Sequence, residues 1–354
     1  MDELLKPLRD QIDGIDTQIL GLLNRRAEIA QEVGRVKNRT NAPIYRPDRE
    51  AQVLRGIAER NPGPLNDKDL QTIYREIMSA CRALERRNIV AFLGPAGTFS
   101  EQAVYDCFGS AVETLSCSTI DEVFAAVEAS DAEFGVVPIE NSTEGAINRT
   151  YDLFVRSPLT ISNEVSIPIR HNLMTASGSM HGIRQISAHA QALAQCQGWL
   201  NTHFPDIPKR AVSSNAEAAR IAKDDHTVAA IAGEIASKCY ELQIVNAWIQ
   251  DEPQNRTRFA VIGRKDTEPT GKDQTSLLVS VKNEAGSVYK MLEPFDRYGV
   301  SMTRLESRPT KGGDWEYYFF VDLVGHIKEE KVAKALEELK DRVSYFKVLG
   351  SYPI

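Results

Sequence analysis

Basic side chains at helical spacing are the first feature of the chain that suggests chemistry. Arg26 and Lys37 are eleven residues apart, close to three turns of an α-helix, so their side chains share one face. Arg9 lies about 25 Å before Arg26 along such a helix, too far for the same site but suitable for a site on a partner chain. Spacing alone leaves two interpretations open: a site for a small anion, or the solvated surface of a coiled coil.

Polar clusters at the ends of predicted strands are the second such feature. The clusters are Pro138-Ile-Glu-Asn-Ser-Thr-Glu-Gly145, His171-Asn172, Ala188-His-Ala-Gln191 and Asn255-Arg-Thr-Arg-Phe259. Ligands of α/β proteins bind at strand ends, although each cluster taken alone is also ordinary turn chemistry. The glycine-rich turn at 94–100 is not a phosphate loop, because no Gly-Lys-Ser/Thr follows it.

Hydrophobic periodicity predicts the helices that carry the N-terminal arginines. Apolar residues at steps of three and four predict one helix over residues 3–39. A helix of that length cannot bury its apolar stripe within one small unit, so a second long helix from another chain is expected. Two more helices are predicted, from Pro47 to about residue 60 and from an Asp67 cap to about residue 87.

The rest of the chain changes period at residue 88. Short apolar strands then alternate with helices to about residue 265, which predicts an α/β region with mostly parallel strands. Residues 275–354 follow the order strand, helix, strand, strand, helix, strand, with a hairpin turn at 311–314, which is a ferredoxin-like order. The predicted fold class is therefore multidomain: all-helical, then α/β, then α+β.

Composition is that of an ordinary globular chain. It is 42% hydrophobic and 26% charged. Its length of 354 residues predicts two or three domains. A net charge of −7 argues against general nucleic-acid binding. The N-terminus lacks a basic region followed by an apolar stretch, so a cytoplasmic location without a signal peptide is expected. The five cysteines form no C-x-x-C pair, so mostly buried free thiols and no metal site are expected.

Residues 1–88 resemble the all-helical chorismate mutase family. The segments that carry the resemblance are Leu8-Arg-Asp-Gln-Ile-Asp-Gly-Ile-Asp16, Leu22-Leu-Asn-Arg-Arg26, Val33-Gly-Arg-Val-Lys37 and Pro43-Ile-Tyr-Arg-Pro-Asp-Arg-Glu50. The resemblance implies an intertwined dimer whose two sites each borrow an arginine from the partner. The roles it implies are Arg9 as the borrowed arginine, Arg26 and Arg49 as carboxylate ligands, Lys37 facing the ether oxygen, Glu50 holding the ring hydroxyl, and Glu85 opposite Lys37 with Cys81 one turn before it.

Two positions depart from that family pattern. Arg46 stands where a carboxylate is common, and Glu85 where glutamine is common. A carboxyl group can donate a hydrogen bond to the ether oxygen only when it is protonated. The sequence therefore predicts a mutase activity that is skewed towards acidic pH.

Residues 89–266 resemble prephenate dehydratase through GPAGTFSEQA, GVVPIENSTEG, HNL, HAQALAQC and NRTRFAVIG. The resemblance implies two lobes like a type II periplasmic binding protein, with residues 89–170 and 250–266 in one lobe, 171–249 in the other, and the site in the cleft. Loss of a ring hydroxyl requires a proton donor, and the family's Thr-Arg-Phe motif makes Thr257 the candidate. The further substrate-binding residues implied are Glu140, Asn141, Ser142, His189, Gln191, Arg258, Thr98 and Ser100. Ala188 replaces the serine of the usual Ser-His-Pro-Gln.

After a polar linker at 267–274, residues 275–354 resemble ACT domains. In dehydratases this domain binds phenylalanine across a dimer interface and inhibits the enzyme. The phenylalanine-site residues implied are Gly286, Ser287, Val288, Glu306, Ser307, Arg308 and Pro309, and the bulk of Tyr289 narrows that pocket. A purely dimerising domain is the alternative.

The order of the three modules resembles the bifunctional chorismate mutase/prephenate dehydratase family of phenylalanine biosynthesis, which needs no cofactor or metal. The partners implied are chorismate, prephenate, phenylalanine and further copies of the chain, as a homodimer or dimer of dimers, with no nucleic acid and no membrane. Two other functions remain open on the sequence. One is a monofunctional dehydratase with a helical dimerisation segment, and the other is a non-catalytic amino-acid sensor.

Overall fold

The structure is a computed structural model that describes residues 2–40, 44–86, 88–309 and 317–354. Two sequence features lie outside the described residues: Pro43, which begins the chorismate mutase-like segment 43–50, and the hairpin turn predicted at 311–314. The chain divides into two compact units: Met1–Asn88 with Phe108–Glu113, and Ile89–Cys107 with Thr114–Ile354. Within the described ranges no helix is both long and apolar enough to cross a bilayer.

The first unit consists of three helices, as predicted. They are α1 Asp2–Thr40, α2 Pro47–Glu59 and α3 Asp67–Glu85. The predicted cap of α3 was wrong by one residue: Asn66 is the last extended residue, and its side chain accepts a hydrogen bond from the backbone N–H of Asp69 at 2.9 Å. Both α1 and α2 pack on α3. Much of the apolar stripe of α1 is nevertheless exposed in the single chain, at Leu4, Leu8, Ile12, Ile15, Ile19, Leu22, Ile29, Val33 and Val36.

The second unit contains three sheets and nine helices in its described residues. Its strands are β1 Ile89–Leu93, β2 Glu113–Cys117, β3 Phe134–Asn141, β4 Gly145–Ala146, β5 Thr160–Pro168, β6 Asn172–Thr175, β7 Gln185–His189, β8 Lys209–Val212, β9 Val228–Ala232, β10 Gln243–Asn246, β11 Arg256–Gly263, β12 Asp273–Val281, β13 Met302–Pro309, β14 Tyr317–Val324 and β15 Tyr345–Pro353. Its helices are α4 Phe99–Phe108, α5 Ile120–Ala129, α6 Asn148–Arg156, α7 Ala190–Gln195, α8 Gln197–His203, α9 Asn215–Asp224, α10 Glu234–Tyr240, α11 Ser287–Arg297 and α12 Glu330–Lys340.

Two sheets form the two predicted lobes, but the expectation of mostly parallel strands was wrong. The first sheet has the order β2-β1-β3-β11-β5, with β4 on β3, and the second has the order β10-β6-β9-β7-β8. Strand β1 is parallel to β3, and β7 is parallel to β8 and β9. Five pairs are antiparallel: β3 with β4 and β11, β5 with β11, and β6 with β9 and β10. The chain leaves the first lobe after β5, builds the second, and returns as β11 between β3 and β5, antiparallel to both. This return strand brings Thr257 into register with Asn141.

The third sheet has the order β13-β14-β12-β15 and is antiparallel. Helices α11 and α12 pack together, and their apolar residues join those of the sheet in a core that includes Leu277, Met291 and Leu336. The ferredoxin-like order is confirmed. Strand β12 begins at Asp273, inside the segment predicted as a linker, and Thr267 at the start of that segment is buried.

Candidate active sites

A cleft of about 440 Å³ lies between the two lobes of the second unit. Strand ends and helix starts of both lobes contribute to it. Its lining residues are Leu93, Gly94, Gly97, Thr98, Phe99, Ser100, Ser118, Asn141, Ile169, His171, His189, Gln191, Ala192, Gln195, Ser213, Ser214, Asn215, Gly233 and Thr257. Six of the predicted dehydratase residues are therefore in one place: Thr98, Ser100, Asn141, His189, Gln191 and Thr257.

Thr257 is held by an amide from the neighbouring strand. The side-chain N–H of Asn141 donates to Thr257 Oγ1 at 2.9 Å and to Asn255 Oδ1 at 3.0 Å. The orientation of the Asn141 amide follows from its other end, because Oδ1 accepts from the backbone N–H groups of Thr143 and Glu144 at 3.0 and 3.2 Å. One lone pair of the threonine hydroxyl is thus occupied, and its O–H remains able to donate.

Helix N-termini supply the positive character of the cleft. Thr98 and Ser100 lie at the start of α4, and Thr98 Oγ1 accepts from the backbone N–H of Glu101 at 3.4 Å. Ser214 caps α9 and accepts from the N–H of Glu217 at 2.9 Å. Of the described residues that line the cleft, none is Lys, Arg, Asp or Glu. A bound anion would therefore meet helix dipoles and backbone N–H groups rather than a full countercharge.

The other three predicted dehydratase residues do not line the cleft: Glu140, Ser142 and Arg258. Ser142 Oγ donates to Asn255 Oδ1 at 3.3 Å and accepts from the backbone N–H of Arg256 at 3.0 Å. Arg258 pairs with Glu164 at 2.7 Å, with Glu140 at 2.9 Å and with Asp322 of the third sheet at 3.3 Å. The expectation that Arg258 binds the substrate does not fit this position, because alternation along β11 turns it away from the face of Thr257.

The charge of Arg258 is stabilised by this network. Burial opposes the charged guanidinium, but hydrogen bonds to Glu164 and the nearby charges of Asp322 and Glu140 outweigh it and raise the pKa of Arg258. Glu140 also lies 3.6 Å from Arg304 of β13. The pairs of Arg258 with Asp322 and of Glu140 with Arg304 therefore connect the first lobe to the third sheet.

Sequence reasoning assigned no role to several residues that line the cleft. His171 belonged to a noted polar cluster, and Gln195 to the HAQALAQC motif. Their side chains contact each other, with His171 Nε2 2.9 Å from Gln195 Oε1. Ser214 was missed although a signal existed: serine followed three residues later by glutamate is the sequence pattern of a capping box.

In the helical unit, the structure brings four predicted mutase residues together between α1 and α3. Arg26 donates to the sulfur of buried Cys81 at 3.0 Å. Lys37 donates to Glu85 Oε2 at 3.2 Å and to the carbonyl of Ile44 at 3.1 Å. These contacts put a guanidinium, an ammonium and a carboxyl group on facing helices, which suits a small dianion with an ether oxygen.

The other predicted mutase residues are placed differently. Glu50 is ion-paired with Arg82; burial raises the pKa of Glu50 and Arg82 partly offsets this. Arg49 is exposed. The side chain of Arg9 is 65% exposed on α1 and lies 3.8 Å from the carboxylate of Asp2.

The predicted phenylalanine residues lie at two places on the third sheet and its first helix. Gly286 has φ +82° and precedes α11 as its N-cap, with Ser287 and exposed Val288 in the first turn. Glu306, Ser307 and Pro309 lie on β13. Arg308 on the same strand is 3.1 Å from Asp152 of α6 and so contacts the first lobe.

Comparison with known proteins gives a consistent result along the whole chain. Residues 8–86 match the family model described as chorismate mutase type II, residues 90–267 that of prephenate dehydratase, and residues 275–341 that of the ACT domain. Part of the chain is similar to the solved structure of prephenate dehydratase from Arthrobacter aurescens in complex with L-Phe. That match has 33% identity and a TM-score of 0.69, and covers 75% of this chain and 90% of that one.

Two curated relatives extend the similarity over all three modules. The bifunctional chorismate mutase/prephenate dehydratase of Neisseria gonorrhoeae is 48% identical over 100% of this chain and 98% of its own length. The protein of the same name from Aquifex aeolicus is 46% identical, over 99% and 98%. The chain therefore belongs to the bifunctional chorismate mutase/prephenate dehydratase family.

Proposed function

We propose that this enzyme isomerises chorismate in a site built on α1 and α3 and dehydrates prephenate in the cleft between the lobes. The proposed modules are 1–88, 89–266 and 275–354, and residues 267–274 link the second module to the third. In the second reaction the ring carboxylate leaves as carbon dioxide and its electron pair makes the ring aromatic. The carbon–oxygen bond breaks with its pair on oxygen, which takes a proton and leaves as water. The net change is prephenate dianion plus one proton to phenylpyruvate, carbon dioxide and water.

The observation that carries the dehydratase assignment is the hydrogen bond from Asn141 to Thr257 at 2.9 Å. Because the amide donates to the threonine oxygen, the hydroxyl proton can point to a leaving oxygen in the cleft. Threonine is a weak acid, and a donor to its oxygen makes the O–H a better hydrogen-bond donor by polarising it. The starts of α4 and α9 then suit the two carboxylates of the substrate.

Thr257→Val tests this assignment, since it replaces the hydroxyl by a methyl group of similar volume. We expect the dehydratase kcat to fall by about 10²- to 10⁴-fold, the range for loss of a positioned proton donor. Thr257→Ser is the matched control and keeps most turnover. Mutase activity of the same preparations reports folding of the chain. Dehydratase turnover of Thr257→Val within tenfold of wild type would exclude Thr257 as the donor.

The mutase assignment requires a second chain. Arg9 and the apolar stripe of α1 are exposed in the single chain, which supports a dimer in which Arg9 reaches the partner's site. Mixing Arg9→Ala chains with Arg26→Ala chains tests it. In a heterodimer one site has both arginines and the other has neither, so unfolding and refolding the mixture restores about a quarter of wild-type activity for a two-fold dimer. No gain over the separate variants would refute a shared site.

Phenylalanine is the proposed inhibitor, bound at the start of α11 and β13. The amide groups of a helix start that follows Gly286 suit an amino-acid carboxylate. The Arthrobacter aurescens relative was solved in complex with L-Phe, which supports this ligand. Calorimetric titration with phenylalanine, followed by dehydratase assay, is the test. Binding heat with inhibition is expected, whereas neither effect would leave the domain a dimerising module.

A further inference from the structure

A group of hydrogen-bonded side chains behind the cleft converges on Asn255. This residue directly precedes β11, is 3% exposed and does not line the cleft. Asn255 Oδ1 accepts from Asn141 Nδ2 at 3.0 Å and from Ser142 Oγ at 3.3 Å. The same Asn141 Nδ2 donates to Thr257 Oγ1 at 2.9 Å. Asn255 therefore contacts the residue that holds the proposed proton donor, without lining the cleft itself.

The NH₂ group of Asn141 faces Asn255 and Thr257 because backbone groups hold the other end of this amide. Backbone N–H groups can only donate, and those of Thr143 and Glu144 donate to Asn141 Oδ1 at 3.0 and 3.2 Å. Turning the amide round would set its oxygen against Asn255 Oδ1, so that two acceptors met. It would also let that oxygen accept the proton of Thr257, and the threonine hydroxyl would no longer donate into the cleft.

The oxygen of Asn255 is fixed by Ser142 as well as by Asn141. The backbone N–H of Arg256 donates to Ser142 Oγ at 3.0 Å. The hydroxyl of Ser142 can then give its own proton to Asn255 Oδ1. Two donors thus meet at one atom of Asn255, which identifies that atom as the amide oxygen rather than the nitrogen.

Asn255 and Thr257 hold the Asn141 amide from one strand. They are two residues apart at the start of β11, so their side chains share a face of the extended chain. Asn141 lies on the neighbouring strand β3 and gives one hydrogen of its NH₂ group to each of them. Because both hydrogens are used, the plane of the amide is fixed. The bond to Asn255 therefore sets the direction of the N–H that meets Thr257.

We propose that Asn255 is a positioning residue for the dehydratase reaction. Its side-chain oxygen orients Asn141 so that the hydroxyl of Thr257 is kept as a donor towards the leaving oxygen of prephenate. The proposal rests on the assignment of the dehydration to this cleft and adds a residue outside the cleft lining. Asn255 touches neither the substrate nor the reacting atoms and acts only through Asn141.

Two substitutions at Asn255 separate the acceptor oxygen from the shape of the side chain. Asn255→Leu has a similar volume but leaves the second N–H of Asn141 and the O–H of Ser142 without their acceptor. We expect the dehydratase kcat to fall by about 10- to 100-fold, as for a misplaced catalytic group, while KM for prephenate changes less than about twofold. Asn255→Asp keeps an acceptor oxygen for both donors, so its kcat should stay within about threefold of wild type.

Thr150→Val is the matched control for loss of a buried hydrogen bond near β3. Thr150 is fully buried in α6, and its Oγ1 donates to the carbonyl of Pro138 on the strand that carries Asn141. Valine keeps the volume and loses this bond. The variant should melt at a lower temperature than wild type but keep its dehydratase kcat. Mutase activity of every preparation reports folding of the chain.

A double variant separates positioning from a general loss of packing. If Asn255 acts only through Thr257, then Asn255→Leu lowers the turnover of wild type but not the residual turnover of Thr257→Val. The kcat of the double variant should therefore lie within about twofold of that of Thr257→Val alone. Effects of the two substitutions that multiply would place the role of Asn255 elsewhere and overturn the proposal.

The single variants give further outcomes that decide the proposal. A kcat of Asn255→Leu equal to that of Thr150→Val overturns it. Equal losses of kcat in Asn255→Leu and Asn255→Asp also overturn it, since the acceptor oxygen is then not what matters. If Thr257→Val stays active, the assignment of the proton donor is wrong and the proposal falls with it. If Thr257→Val is inactive while Asn255→Leu keeps its turnover, only the role of Asn255 is refuted.

Discussion

Gly34 in α1 is the position where one added carbon should separate the two activities. A Cβ atom there would lie 2.8 Å from Cγ, 2.9 Å from Cβ and 3.3 Å from Oε2 of Glu85 on α3. Ordinary carbon–carbon contacts are about 3.5–4.0 Å, so Glu85 or its helix must move by about 0.7–1 Å in Gly34→Ala. The nearest atoms are close to the backbone of α3, so rotation of the side chain alone does not relieve the contact.

The effects on stability and on activity differ in size. Alanine in a helix interior is about 1 kcal/mol more favourable than glycine, whereas overpacking costs about 1–3 kcal/mol. The free energy of unfolding should therefore fall by about 0–2 kcal/mol. The contact between Lys37 and Glu85, now 3.2 Å, lies directly at the displaced group. A misplacement of about 1 Å in a catalytic group lowers rates about 10²-fold, so mutase kcat/KM should fall by about that factor.

One preparation supplies both the assay and its control. Chorismate loss measures the mutase, and phenylpyruvate formation from added prephenate measures the dehydratase, which should not change. Gly56→Ala on α2 is the matched substitution, because its Cβ would meet only the guanidinium of Arg60 at 3.8 Å. Mutase activity of Gly34→Ala within twofold of that of Gly56→Ala would refute the link between Glu85 position and catalysis.

Two further substitutions test regulation and protonation. Asp322→Asn keeps an acceptor for Ser276 but weakens the pair with Arg258, so half-inhibition of the dehydratase should need roughly fivefold more phenylalanine while uninhibited turnover is retained; an unchanged inhibition curve would contradict coupling through this pair. Glu85→Gln supplies a donor at every pH, so the mutase pH–rate profile should lose its acidic skew, and a profile that overlays wild type would remove that role for Glu85.

The elements that the sequence predicted well are those fixed by local patterns. The 3.6-residue period of α1 and the order of strands and helices after residue 272 are visible in the chain itself. The cap of α3 was misplaced because Asn66 and Asp67 are both good capping residues, and only the backbone angles distinguish them. The mixed sheet could not be predicted, since β11 pairs with strands about 90 to 120 residues earlier.

The dehydratase site was predicted only in part, because it also depends on pairing between strands that are far apart in the sequence. Thr257 and Asn141 came from motifs, but their hydrogen bond depends on the return of β11. The position of Arg258 was predictable in principle, because neighbouring residues of a strand face opposite sides and Thr257 was already assigned to the cleft. Its three carboxylate partners were not, since one of them, Asp322, lies in a different sheet.

The two proposed sites differ in the charges that they offer to an anionic substrate, and this difference leads to a last prediction. Chorismate and prephenate are both dianions. The proposed mutase site offers full charges on Arg26 and Lys37, whereas the described residues lining the cleft include no Lys or Arg. Arg258 cannot make up the difference, because its charge is taken by carboxylates. Salt weakens the attraction between a dianion and full side-chain charges at a partly open site. It weakens the attraction to the partial positive charges at helix N-termini less strongly. Raising ionic strength should therefore increase the mutase KM more than the dehydratase KM on the same chain, and an equal increase would show that the cleft recruits a full countercharge when substrate binds.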